Sequence, residues 1–182
     1  MGKISCLFAL FKLFIYKLFY GKKFVFDLNQ HIHKGIIINI HGNGFCKFEK
    51  NICSYNNCKF SVYNGASLSV GENTYFSGNT TITTTKNINI GKNVLFGPGV
   101  VIVDFNHNYK SKSLINTQGL SSESIKIGDN VWIGANCIIM KGTEIGENSV
   151  IAGGTVVRDK IPSNSLVYNK KDLTIKEINR SY

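Results

Sequence analysis

Ile127, Ile133, Ile139, Ile145, Ile151 and Val157 stand six residues apart, and every one is β-branched and aliphatic. The position after each reads Gly128, Gly134, Met140, Gly146, Ala152 and Arg158, small in four of the six. The fifth position reads Val131, Cys137, Thr143, Ser149, Thr155 and Ile161. The pattern aliphatic–small–x–x–small–x thus runs for 36 residues without a gap. No α-helix keeps one face at this period, because six residues turn it by about 600° and leave the side chain about 120° away. A flat six-residue side followed by a corner does keep it. Three such sides close a triangular coil of roughly 18 residues, and stacked coils give three parallel sheets with layers about 4.8 Å apart. Asn93, Asn130, Asn136 and Asn148 share one position of the repeat, three beyond the aliphatic one. Asn and Gly both tolerate the left-handed backbone of a tight corner.

The rhythm extends upstream. Ile90, Phe96 and Ile102 are in step, and Ile40, Cys46, Ile52, Cys58, Asn64, Val70, Phe76 and Ile82 share a register that sets Asn64 at a core-type position. The step of eight from Ile82 to Ile90 predicts two extra corner residues. The step of 25 from Ile102 to Ile127 predicts one regular side plus about nineteen inserted residues, among them "NHNYKSKSLINTQGLSSES". The expected organisation is a mainly β coil over 36–162 with a protruding loop at 104–126, preceded by an apolar and basic segment (1–35) and followed by a closing segment (163–182).

The first twenty residues, "MGKISCLFALFKLFIYKLFY", place Ser5, Ala9, Lys12, Tyr16 and Tyr20 at helical spacing. They predict a helix with one narrow, more polar stripe and a wide apolar face. Two internal lysines argue against a membrane span, and the lack of a small-residue cleavage site argues against a signal peptide. Two readings stay open for this helix: contact with a membrane surface, or packing on the body or on another subunit.

The formal charge of +10 is uneven: +5 over 1–35, +2 over 36–157 and +3 over 158–182. Basic ends suit phosphate-rich ligands or anionic surfaces. No aromatic–basic platform on a recognised fold points to nucleic acid. The five cysteines, Cys6, Cys46, Cys53, Cys58 and Cys137, are odd in number and form no CxxC pair. A disulfide framework or zinc ribbon is not expected, and Cys46, Cys58 and Cys137 read as small core residues in a reducing compartment. "HIH" at His31 and His33 has no acidic or cysteine ligands with it, so no metal site is expected.

The run "IGDNVWIGANCIIMKGTEIGENSVIAGGTVVRDKIPSNSLV" and the entry "GPGVVIVDFNHNYK" resemble the hexapeptide-repeat acyltransferases. Within these they are similar to bacterial sugar and surface-polysaccharide O-acetyltransferases of the galactoside and maltose group. The likeness covers roughly 70–178, and it departs at "NKKD", where the family has a Gly-x-Pro-Ala turn. It implies a left-handed parallel β-helix with a short C-terminal helix, an exception to the right-handed crossover rule. It also implies a homotrimer with sites between subunits, and acetyl-CoA as donor. His107 matches the catalytic position and would act as general base on a sugar hydroxyl, because an imidazole is largely neutral near pH 7. Direct attack in a ternary complex is implied, without an acyl-enzyme.

By the same resemblance Trp132 and Asn79 line the acceptor or acetyl pocket, a trimer interface being the other reading of Trp132, and Thr84 or Thr85 stands where relatives carry an acidic acceptor contact. Asp104, three residues before His107, is a candidate to orient the imidazole or fix the loop. Gly134, Ala152 and Gly153 admit the pantetheine arm. Arg158, Lys160, Lys170 and Lys171 are candidates for the coenzyme A phosphates. The implied acceptor is a sugar of a surface polysaccharide or its precursor, and the implied location is cytoplasmic, including the inner face of the membrane through residues 1–20. The alternatives are an N-acyltransferase on an amino sugar, a serine acetyltransferase relative, or a non-catalytic β-helix.

Overall fold

The computed structural model describes residues 3–170, with side chains from Leu10 onward. Three parallel sheets of seven, seven and six strands carry the chain. The first runs from Phe24–Phe26 to Lys160–Ile161, the second from Gln30–Ile32 to Leu166–Val167, the third from Ile37–Ile40 to Val156–Val157. The chain visits them in turn as a left-handed β-helix. Ile133, Ile139 and Ile151 of the six-residue series are fully buried, and Ile127, Ile145 and Val157 nearly so. Hydrophobic burial therefore runs as one column down the coil axis.

The coil is not uniform. Cys46 lies over Phe24 and Leu68 over Cys46, turns of 22 residues. Ile88 over Leu68 is a turn of 20, Ile145 over Ile127 one of 18, and Ile161 over Ile145 one of 16. The wide turns hold a column of phenylalanines, with centroid separations of 5.8 Å for Phe24–Phe48, 5.1 Å for Phe48–Phe60, 5.2 Å for Phe60–Phe76 and 4.7 Å for Phe76–Phe96. The sides of the narrow turns bury one large aliphatic residue beside a smaller one, as in Ser149 with Ile151 and Thr155 with Val157.

This taper corrects the upstream register. Turns of 22 and 20 residues are not multiples of six, so a strict six-residue step drifts out of phase. Asn64 is exposed in a corner, while Val62 and Leu68 on either side of it are buried. Strands also begin before residue 36, at Phe24–Phe26 and Gln30–Ile32, and continue past 162, at Leu166–Val167. The early strands escaped the repeat because their inward residues include Phe24 and a buried Gln30. Gln30 donates from Nε2 to the carbonyls of Asp27 (2.9 Å) and Glu49 (2.8 Å) and accepts from Ile52 N–H (3.1 Å). The short C-terminal helix expected within 163–182 is not found up to residue 170, and residues 171–182 lie outside those described.

Nine asparagines among the described residues hold positive φ, including Asn93, Asn130, Asn136 and Asn148 at 54–57°. Seven of them also bond side chain to side chain between layers, as Asn51 to Asn73 at 2.8 Å and Asn130 to Asn148 at 2.9 Å. Corner geometry and layer stacking are thus served by the same residue.

The helix Lys3–Tyr20 packs on the first turn and buries Leu13 completely. Ile37 and His41 donate N–H to Cys58 and Val62 of the next turn, so Ile36 and Ile38 point their carbonyls the other way, to an edge with no earlier turn. The helix supplies donors there. Lys12 Nζ reaches Ile36 O at 2.5 Å, Tyr16 Oη reaches it at 3.5 Å, and Tyr20 Oη reaches Ile38 O at 3.1 Å. The polar stripe of this helix therefore faces the protein. Asn136→Ala should lower unfolding free energy by about 1–2 kcal/mol in urea denaturation, because alanine resists the left-handed backbone, whereas Asn136→Gly should change it little.

Candidate active site

The insertion is an ordered arm. Phe105–His107 pairs antiparallel with Leu120–Ser122, setting His107 opposite Leu120. Asn108 closes the hairpin, its N–H on Gly119 O (3.1 Å) and its Nδ2 on Gln118 O (3.0 Å). Gln118 then ties the tip, accepting from Ser111 N–H at 3.0 Å and donating to Ser113 O at 2.7 Å. The arm costs the coil nothing in register: Ile102 still pairs with Ile139, 37 residues on, against 18 for the next turn. The difference is the nineteen inserted residues expected.

Asp104 holds the root of this arm. It is fully buried, and its carboxylate accepts four bonds from the previous turn. Thr84 Oγ1 lies at 2.5 Å, Thr85 N–H at 2.8 Å, Thr85 Oγ1 at 3.2 Å and Lys86 N–H at 2.9 Å. Both oxygens are committed, so Asp104 does not orient the His107 imidazole and fixes the loop instead. Thr84 and Thr85 belong to the same clasp, and Thr85 Oγ1 also meets Ser122 Oγ at 2.7 Å across the arm.

His107 is exposed and lines a cavity of about 710 Å³ with Asn106, Asn108, Tyr109, Lys110, Ser111, Ser113, Gln118, Ser121 and Lys141. No described residue hydrogen-bonds its imidazole. Lys141 comes from the turn after the arm. Its Nζ bonds Ser121 Oγ at 3.0 Å and pairs with Glu123, whose carboxyl it holds below the usual carboxylate range. A carboxyl lowered in this way keeps the pair above its ordinary range and loses it as pH falls through the lowered value. The sequence reading missed Lys141, because a lysine one residue before a corner glycine looks like any solvated cation. Gln118 carried no signal either.

The other candidates lie elsewhere. Trp132 stands on the outer face of the second sheet, 54% exposed. It lies in register with Leu95 and Val150, and Val150 with Leu166, on one outward row. Asn79 is an exposed corner residue at φ 62°, one of the asparagine set, accepting from Asn57 Nδ2 at 3.5 Å. Gly134 is buried beneath the next turn, where a Cβ would come within 2.6 Å of Gly153 N. Ala152 is half-buried and Gly153 exposed at the corner above it. Arg158, Lys160 and Lys170 are exposed, Lys160 pairing with Glu144 at 2.8 Å, and Lys171 lies outside the described residues. None of these lines the His107 cavity. His33 and His41 stack on Tyr55 and Tyr63 at 4.2 and 4.8 Å. Among the described residues no group of His, Cys, Asp and Glu is placed to hold a metal ion.

Asp104→Ala should destabilise the protein by about 3 kcal/mol or more in chemical denaturation, since it orphans buried donors. Amide exchange should rise along 105–122 well beyond its rise in the coil.

Residues 124–159 match the family model described as bacterial transferase hexapeptide (six repeats). The chain is 36% identical over 115 residues to galactoside O-acetyltransferase of Escherichia coli, covering 63% of this chain and 56% of that one. It therefore spans little more than half that relative's length. It is 26% identical over 148 residues to a putative lipopolysaccharide biosynthesis O-acetyl transferase of Escherichia coli, covering 77% and 76%. A hexapeptide-repeat acetyltransferase of Vibrio cholerae, crystallised with acetyl coenzyme A, superposes with a TM-score of 0.56 at 24% identity, covering 85% of this chain and 71% of that one. That likeness bears on the fold. Residues 124–159 thus carry the bacterial transferase hexapeptide repeat on the coil that it encodes.

Proposed function

We propose that this protein is an acetyl-CoA-dependent O-acetyltransferase that acetylates a sugar hydroxyl of a surface polysaccharide or its precursor. The observation that carries the reading is His107, on an arm rooted by Asp104, at the wall of a cavity whose lining residues all carry polar side chains. Such a lining suits a polyhydroxylated acceptor. An unpartnered imidazole is free to take a proton from it. The names of two relatives agree, one acting on galactosides and one assigned to lipopolysaccharide biosynthesis.

In the proposed step the acceptor hydroxyl attacks the thioester carbonyl carbon while His107 Nε2 or Nδ1 accepts its proton. The tetrahedral intermediate collapses, the C–S bond breaks, and the coenzyme A thiolate leaves and recovers the proton from the imidazolium. No acyl-enzyme is needed, and the buried Cys46, Cys58 and Cys137 offer no accessible nucleophile. Coenzyme A is proposed to run along the corner at Ala152 and Gly153, its phosphates toward Arg158, Lys160, Lys170 and Lys171. The outward row Leu95–Trp132–Val150–Leu166 supports a homotrimer in which a neighbour covers this face and completes the site. The donor sets the expected location at the cytoplasmic side of the membrane.

His107→Ala should lower kcat by about 10²–10⁴-fold while the variant keeps the wild-type sedimentation coefficient. The measurement is mass spectrometry of candidate glycans incubated with labelled acetyl-CoA. A variant that transfers at the wild-type rate would remove His107 from the chemistry.

A further inference from the structure

The helix Lys3–Tyr20 reverses the usual arrangement of an amphipathic helix on a globular body. Its polar stripe points inward. Lys12, Tyr16 and Tyr20 satisfy the open carbonyls of the first turn, and Lys17 Nζ bonds the carbonyls of Gly21 (3.0 Å) and Phe24 (2.8 Å). Its apolar side is left in solvent. Phe11 is 64% exposed, Ile15 50%, Leu18 88% and Phe19 80%, and their i, i+4, i+7, i+8 spacing sets them on one outward face over about two turns. The helix does not need this surface to stay attached, since Leu13 and the polar stripe already hold it.

We propose that this face lies in the interfacial region of an anionic lipid membrane, with the coil standing off on the aqueous side. Charge selects this occupant. Residues 1–35 carry +5, and Lys22 follows directly after the apolar face, exposed and with no acidic partner among the described residues. A large apolar face edged by lysine is the composition that binds anionic lipid surfaces. A second copy would bring two +5 segments against each other. No helix among the described residues is long and apolar enough to cross a membrane, so the segment lies on the surface and does not span it. Both earlier readings of the helix then hold at once: one side packs on the body, the other meets lipid. The proposal stands independently of the transfer reaction.

The test uses the full chain, sedimented with phosphatidylcholine–phosphatidylglycerol vesicles and with pure phosphatidylcholine vesicles. The wild type should bind the anionic vesicles about tenfold more than the neutral ones. Phe11→Gln/Leu18→Gln, which alters exposed positions and no charge, should lower binding to both by about tenfold or more at an unchanged melting temperature. Lys22→Gln should weaken binding to the anionic vesicles alone, and it keeps the test decisive if the double variant is unstable. Wild type left in the supernatant with both vesicles would overturn the proposal. So would a double variant that binds as the wild type does. If vesicle binding is absent and the double variant abolishes a self-association seen for the wild type by sedimentation velocity, the face belongs to a second copy.

Discussion

Every turn of this coil is held by the turn beside it. The backbone bonds run between layers, from Ile37 to Cys58, from Lys59 to Thr80 and from Thr81 to Val100. A turn can therefore grow or shrink only at its corners, where no layer bond is lost. The taper from 22 to 16 residues respects this rule, as do the asparagine corners and the arm. Nineteen extra residues are taken up between Ile102 and Ile125, and the strands on either side stay in parallel register. The active-site candidate can protrude because the insertion is placed where the core does not register it.

The same constraint explains the chemistry of the arm's root. A chain that leaves the coil takes its backbone groups out of the ladder, and something must hold the exit. Asp104 does this by accepting from the corner of the preceding turn rather than from its own. A carboxylate accepts several donors at once, which no neutral side chain of its size matches. On the far side, Glu123 N–H returns to Asp104 O at 2.9 Å, so exit and re-entry meet at one residue.

Much of this was legible in the residues. The unbroken aliphatic series from Ile127 to Val157 specified the coil, the corner asparagines specified its turns, and the 25-residue gap measured the arm. Less was legible where the repeat relaxes. The phenylalanine column of the wide turns obeys packing between layers, which has no fixed spacing along the chain, so Asn64 was mistaken for a core position. Asp104 and His107 were visible as types, but which of them faces the cavity depends on the strand pairing of the arm. Lys141 joins them only through a turn 34 residues away from His107. The helix was visible as amphipathic, yet a stripe pattern carries no sign saying which side faces the body. The open carbonyls of the first turn decided that.

The lysine and tyrosine cap on that first turn has a further consequence. A parallel strand with an uncovered edge is a template for any other extended chain, and a coil that ends in one invites end-to-end stacking into fibres. With Lys12, Tyr16 and Tyr20 seated on Ile36 and Ile38, the growing direction of the ladder is closed at its origin. The helix is in this sense a stopper, keeping a sheet that could in principle extend without limit to the length of one molecule.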